Sequence, residues 1–468
     1  MEFDLDADFL GYHSEWNLGS PGGWDYQRIT QIIGKEVWSR LVRLKDPGVD
    51  LDFDHPRLYP VYGFVQMLVK IHRLREGSNK GLIAVVAEEE TLEDVTENIN
   101  LAKHLSGEDG ITGALMAPHE LETVAGKVCY RGQPVSVVFM DFNSDVLLRL
   151  HRRHDLSPVL QAVREGRVVN PRGTEPINVK SMFELFTGPM SGRFQEETVR
   201  RTPWTRRFRE GPAVGPGDER IPDLVGWTRD NWDRLVLKPE RGYSGMGVRV
   251  GGINPDAKEA VGLATEKGNY IVQEKIPLDL WAEDNPAVDN QGLRTVMERY
   301  QTDFRCLMGP EGLFGFLVRF GGVPTNVGSG GGVQPLAILR SRMPVREAVD
   351  RINGAIMEIP YGDLAEVVAH QEKLSLDHRF TYLLGPIRMA LRPRILTQGH
   401  LASLERYCHA MWADCLTLEK MWHEGALDDY VDIEEDELAI ARSQPWKGGP
   451  AVFASDGLFS FGAHPLAG

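Results

Sequence analysis

Along the first 180 residues the hydrophobic positions alternate between two periods. From Asp25 to Leu44 and from Tyr62 to Arg75 apolar residues recur roughly every three to four positions, the spacing of an amphipathic helix, and the second stretch stops at the breaker Glu76-Gly77-Ser78-Asn79. "GLIAVV" is then an unbroken apolar run of strand composition, Thr91 to Leu105 returns to the helical period, and "KVCYRG" and "PVSVVFMDF" read as two more strands. Helical spacing resumes over Ser144 to His154 and Ser157 to Glu165, followed by a strand and turn in "GRVVNPRG" and a helix over Asn178 to Phe186. Strand and helix in alternation predict a doubly wound α/β unit over residues 80–180.

The pattern then changes. Residues 190–230, with "RTPWTRRFREGPAVGPGDERIP", are rich in Arg, Pro and Gly and read as loop and flexible connection. Residues 234–340 carry strands and Gly-rich turns, 345–440 carry long amphipathic helical patterns, and the tail after Gln444 reads as poorly constrained. The expected organisation is an N-terminal segment (1–79), an α/β substrate domain (80–180), nucleotide-binding subdomains (181–340) and a helical C-terminal region (341–468), with no internal repeat.

Composition narrows the function classes. A chain of 468 residues is long enough for several packed units, and 42% hydrophobic with 25% charged residues is globular composition. No apolar run approaches the roughly 20 residues of a membrane span, and acids stand at the start where a secretory signal carries bases, so a cytoplasmic address without membrane contact is expected. The net charge of −15 disfavours a nucleic-acid partner. Cys129, Cys306, Cys408 and Cys415 lack CxxC spacing and read as reduced, buried thiols. His151 with His154, and Cys408-His409 with Cys415, have no carboxylates at ligand spacing and read as packing or surface.

Four stretches carry chemistry. In "LVLKPERGYSGMGVRVG" an apolar strand delivers Lys238 to a loop of Gly242, Tyr243, Ser244, Gly245 and Gly247, where bare backbone amides and a fixed cation can cover a triphosphate. "YIVQEKIPLDL" ends a strand in Gln273, Glu274, Lys275 and Ile276, a hinge able to read an adenine edge. Asp303, Arg305, Arg319 and Asn326 follow on β-type stretches, and two arginines with an amide suit a transferring phosphate and an oxyanion. At the N-terminus, Asp4, then Glu15, Asn17 and the Pro21-Gly22 turn offer two carboxylates and an amide to a hard divalent cation, while Asp6 and Asp8 read as a solvated strand face. Asp141 and Asn143 end a strand of the α/β unit, where ligands bind in open sheets, and are candidates for the substrate carboxylate or amine.

Taken in order, these elements resemble the ATP-grasp superfamily of carboxylate-amine ligases, and Asp303 to Gly332 is similar to the matching part of ribosomal-protein glutamate ligases. In that superfamily the metal-binding Asp and Glu-x-Asn close the nucleotide domain, whereas here they are read at the N-terminus, so the chain looks like the circularly permuted subgroup typified by glutathionylspermidine synthetase. "GRVVNPRGTEPINVKSMFELF" followed by "TPWTR" is similar to that subgroup as well, which makes Lys180 the first nucleotide-binding lysine and Lys238 the second. The resemblance covers about residues 1–335. Asn17 to Pro21 holds one residue more than the usual spacing, and the region after 345 has no counterpart.

The resemblance implies a circularly permuted ATP-grasp fold of α/β class with α+β elements. It further implies ATP with Mg²⁺, or Mn²⁺ in its place, bound by Asp4, Glu15 and Asn17. The partners it implies are a small-molecule carboxylate and an amine joined through an acyl phosphate; a homodimer is admitted. The alternatives are an ATP-grasp phosphotransferase and a non-catalytic nucleotide-binding partner protein.

Overall fold

The computed structural model describes residues 10–242, 245–254, 256–277, 282–322, 325, 331–382, 385–431 and 433–462. Asp4, Asp6, Asp8, Tyr243, Ser244 and Asn326, all singled out above, lie outside the described residues. The architecture is mixed α/β with several sheets.

The chain begins with strand β1 (Leu10–Asn17) and helices α1 (Trp24–Leu44) and α2 (Pro60–Glu76). The predicted breaker ends α2 through Gly77, whose left-handed backbone (φ 61°) lets its N–H reach the Arg73 carbonyl. The next unit comprises β2 (Gly81–Val86), α3 (Thr96–Ser106), β3 (Ile111–Met116), β4 (Gln133–Met140), α4 (Ser144–His151), α5 (Ser157–Arg164) and β5 (Val168–Val169). Its strands pair in parallel in the order β3-β2-β4-β5. The unbroken apolar run of β2 follows from burial on both faces: Ile83 and Val85 pack with α2 and α3, while Leu82, Ala84 and Val86 pack with α4 and α5.

Residues 190–230 differ from the loop expected of them. Their Arg-rich stretch supplies β6 (Thr205–Arg207), the edge of a four-stranded antiparallel sheet, and buries Trp204 and Phe208. The other members are β7 (Leu235–Pro239), β8 (Arg249–Val250) and, after α6 (Ala257–Lys267), β9 (Tyr270–Glu274), in the order β8-β7-β9-β6. The helix predicted over Asn178 to Phe186 is shorter, a tight turn at Lys180–Met182 running into one helical turn at Phe183–Phe186.

A second six-stranded sheet draws strands from both early and late parts of the chain. After β10 (Ala282–Asp289) come the long hairpin β11 (Arg294–Gly309) and β12 (Gly312–Gly321), then β13 (Gly332–Val333). Helices α7 (Val345–Met357), α8 (Tyr361–Asp377), α9 (Gln398–His423) and α10 (Glu435–Ser443) follow, as their periodicity predicts. The tail after Gln444 is ordered where loose chain was expected: β14 (Phe453–Ser460) lies between β1 and β11, giving the order β1-β14-β11-β12-β13, with β10 on the first half of β11. Thus the described part of 341–468 is mainly helical but also carries a central strand of this sheet and the short strands Thr381–Tyr382, Gly385–Pro386 and Arg394–Leu396. Helix α9 covers one sheet face through Leu404, Tyr407, Cys408, Met411 and Cys415 against Phe304, Cys306, Phe316 and Phe459. All four cysteines are buried and free. Among the described residues no helix is long and apolar enough to cross a membrane.

Candidate functional site

The period of two in β11 sorts its residues by chemistry. Thr302, Phe304 and Cys306 point into the core, so Gln301, Asp303 and Arg305 point to the other face and line a cleft of about 530 Å³. Across the hairpin Asp303 stands opposite Arg319, and on the other side Arg305 stands opposite Asp456 of β14. Asp456 in turn pairs with Glu15 of β1.

Glu15 reaches that row through an irregularity. His13 pairs with Gly457 and Glu15 with Asp456, so Ser14 is an extra residue in β1. Such a bulge reverses the facing of the residues beyond it. His13 and Trp16 both face the core, where their rings lie 6.4 Å apart, while Glu15 and Asn17 face the cleft. The carbonyl of Ser14 accepts a hydrogen bond from Lys238 Nζ at 3.0 Å, and Gln273 Oε1 accepts a second from the same ammonium at 2.8 Å.

The opposite wall comes from the small sheet and its glycine turn. Lys238, Gly242, Gly245, Gln273, Glu274, Lys275 and Ile276 all line the cleft, with Val236, Val248 and Val250 as apolar surface between them. Lys180 enters from the turn before the Phe183–Phe186 helical turn; its Nζ donates to Gly242 O at 3.1 Å and stands 3.5 Å from Glu15 Oε2. Lys275 is engaged at both ends, its N–H on Arg234 O and its Nζ on Gly251 O, each at 2.8 Å. Arg241, at the base of the glycine turn, is held by Glu437 of α10 at 2.6 and 3.1 Å.

Electrostatics concentrate at one end. Arg305 grips both oxygens of Asp456, at 2.5 and 2.6 Å, and donates to Gly22 O at 2.9 Å. Arg319 bridges Asp303 (2.8 Å) and Asp456 (3.2 Å). Burial alone would raise the Asp456 carboxyl, but the charges of Arg305 and Arg319 outweigh it and hold the group below the ordinary carboxylate range. Burial wins at Asp303, whose carboxyl is raised although Arg319 opposes the shift. Burial also pushes the Lys238 ammonium down to about 8, against the pull of Glu15 and with help from Lys180. Lys180, Lys238, Glu15, Asp303 and Asp456 therefore sense one another across a single end of the cleft.

Two sequence candidates stay outside it. Asp141 is buried with its carboxyl on Asn98 Nδ2 at 2.6 Å, away from the cleft lining, and burial raises it to about 6. Gly247 turns its carbonyl to the Tyr270 hydroxyl at 3.1 Å, and a Cβ there would meet Pro239 Cγ at 2.9 Å, so it shapes the turn from behind. Asn143 does line the cleft, beside Ser20 of the turn after β1.

Sequence reasoning missed Asp456, Glu175, Asn178, Glu240, Arg241 and the glycine carbonyl at Gly22. Asp4, expected to act with Glu15 from eleven positions earlier, lies outside the described residues; the carboxylate on the strand paired with Glu15 is Asp456. Its signal was an acid inside a strand-like stretch, "VFASDGLFSFG", at the far end of the chain.

As to divalent cations, the oxygens lining this end include the Glu15 carboxylate, the Asn17 amide and the Asp303 carboxyl, while both oxygens of Asp456 are taken by Arg305 and Arg319. All are hard donors of the kind Mg²⁺ takes. Asn17 Oδ1 also accepts the N–H groups of Gly19 and Ser20, both at 3.2 Å, which fixes its direction. Among the described residues no three His, Cys, Asp or Glu side chains form a ready-made metal cluster, so a cation here would share its coordination with a ligand, as Mg²⁺ commonly does with phosphates.

A scan against models of protein families finds no match for this chain, and a search of curated proteins finds none.

Proposed function

We propose that the protein is an ATP-dependent, ADP-forming ligase that joins a carboxylate, of an amino acid or small peptide, to an amine on a circularly permuted ATP-grasp fold. The observation that carries the reading is the convergence of Lys180, Lys238, Arg305, Arg319, Glu15 and Asn17, drawn from distant parts of the chain, on one cleft roofed by a glycine turn. Two strands support the permutation: β1 and β14, from opposite ends of the chain, are antiparallel neighbours with Leu10 opposite Ser460.

In this reading the adenine lies on Val236, Val248 and Val250 and is read by the carbonyl of Glu274 and the N–H of Ile276, the N–H groups of Glu274 and Lys275 being spent on the carbonyls of Trp204 and Arg234. Lys180 and Lys238 hold the phosphates together with the turn at Gly242 and Gly245. Glu15 and Asn17 would hold Mg²⁺, with Asp4 as their expected third ligand; when bound, the ion would neutralise phosphate charge. A substrate carboxylate oxygen attacks the γ-phosphorus and ADP leaves; the amine nitrogen then attacks the acyl carbon, the C–O bond to phosphate breaks and the amine proton passes to solvent. Arg305 and Arg319 stabilise the negative charge that develops in both steps. Ser20 and Asn143 stand where the acid would be oriented.

The test is a mass-spectrometric screen of amino-acid and amine pairs with ATP and Mg²⁺, comparing wild type with Lys238→Ala. Amide and ADP formed together, only with both substrates and only by the wild type, are expected. ADP and a phosphorylated acceptor without need of an amine would identify a phosphotransferase instead, and equal products from both proteins would overturn the site.

A further inference from the structure

The peptide group between Gly22 and Gly23 is held from both sides, by the Arg305 guanidinium and by the Glu97 carboxyl group. Its carbonyl accepts from Arg305 Nη1 at 2.9 Å, and its N–H donates to the Glu97 carboxylate at 2.9 and 3.0 Å. Glu97 lies on α3 of the α/β unit and is buried; the same carboxylate accepts the N–H groups of Asp25 (2.9 Å) and Tyr26 (3.2 Å), so it caps α1 in place of a local side chain. Gly23 has φ 106°, a conformation that L side chains rarely adopt, and a Cβ on Gly22 would meet Glu97 Oε1 at 3.0 Å. Two glycines in sequence leave this peptide free to rotate unless something fixes it.

We propose that Glu97 is a positioning residue: it fixes the Gly22–Gly23 peptide and thereby the direction in which Arg305 is presented to the reacting phosphate. Burial raises the Glu97 carboxyl to about 8 although the N–H groups of Gly23, Asp25 and Tyr26 pull it down, so the hold on the peptide comes from these hydrogen bonds rather than from a fixed charge. Helix α3 carries a polar stripe beside this contact, of which Glu97 alone meets Gly23. Glu97, Asn100 and His104 share one face, and Asn100 Nδ2 and His104 Nε2 meet Asp25 at 2.6 and 3.3 Å, while Arg28 meets the same carboxylate from α1. The α/β unit is thus tied to the arginine of the other wall through one amide plane. The inference rests on the functional reading above for Arg305, though the geometry stands without it.

The test is Glu97→Gln, which keeps size and one acceptor oxygen but puts an amide N–H donor where the second oxygen now accepts. Three measurements are made: kcat and KM for ATP, thermal stability, and a crystal structure of the variant. The expected result is a fall of about tenfold in kcat with KM for ATP little changed, and a rotated 22–23 peptide or a lost Arg305–Gly22 bond in the crystal. In an Arg305→Lys background the same substitution adds little further loss, because the bond it supports is already gone. His104→Gln, which loosens Asp25 without touching Gly23, lowers stability and leaves kcat unchanged. A Glu97→Gln protein with wild-type kcat and an undisturbed peptide overturns the proposal, as does a loss that simply adds to that of Arg305→Lys. If the wild type forms no ADP with any substrate pair, the ligase reading fails and the crystal structure alone decides the positioning claim.

Discussion

Replacing Asp456 by Asn tests the row of charges that crosses three strands. The substitution keeps the volume but puts an amide N–H where a carboxylate oxygen now accepts from Arg305, turning an attraction into a meeting of donors. Asp456 is 3% exposed, and removing one member of a buried ion pair costs about 3–5 kcal/mol because the partner charge is left unpaired. Arg319 keeps Asp303 at 2.8 Å and Arg305 keeps Gly22 O, so the low end, about 3 kcal/mol, is expected here. At roughly 2–4 °C per kcal/mol this is a fall of about 6–12 °C in unfolding temperature, readable by differential scanning fluorimetry. Asp54→Asn is the control: Asp54 pairs with Lys35 at 2.6 Å, but both side chains are about half or more exposed, and such pairs contribute less than about 1 kcal/mol. The sign with pH follows from the lowered Asp456 carboxyl: its contribution is complete above the ordinary value of 3.8 and is lost as pH falls through the lower folded value. The gap between wild type and Asp456→Asn therefore narrows only in strong acid. An unfolding temperature for Asp456→Asn within a degree of that of Asp54→Asn would refute the reasoning.

Two other predictions follow from the same geometry. Because burial holds Lys238 at about 8 and a polyanion beside it raises that value, ATP binding near pH 8.5 should take up protons; calorimetry in buffers of different ionisation enthalpy measures this, and uptake should vanish in Lys238→Met. Gly23→Ala forces an L residue into φ 106° and drives a Cβ to 2.5 Å from Leu317 Cδ2, so a loss of about 3 kcal/mol is expected in chemical or thermal unfolding; stability equal to wild type would contradict the assigned turn.

What was legible in the sequence was local. The α/β unit could be read because each strand carries its own apolar run and each helix its own period, and Lys238 with its glycines could be read because strand, cation and turn adjoin in the chain. The row Glu15, Asp456, Arg305 could not, because its members meet only through strand pairing between the two ends of the chain. Proximity in sequence made Asp4 the natural partner for Glu15, and the extra residue at Ser14 that turns Glu15 into the cleft leaves no mark in composition. Strand β6 was hidden for a different reason: Thr205-Arg206-Arg207 has the composition of a loop, and it is a strand because the edge of β9 offers it hydrogen bonds and Thr187 and Glu184 take its arginines.

The central claim is that this cleft grips the phosphates of ATP. Isothermal titration of the wild type and of Lys238→Ala with ATP in the presence of Mg²⁺ measures it directly. Saturable one-to-one binding to the wild type, weakened at least tenfold in the variant while folding is retained, is the predicted result; absence of binding to the wild type, or equal affinity in the two proteins, would contradict it.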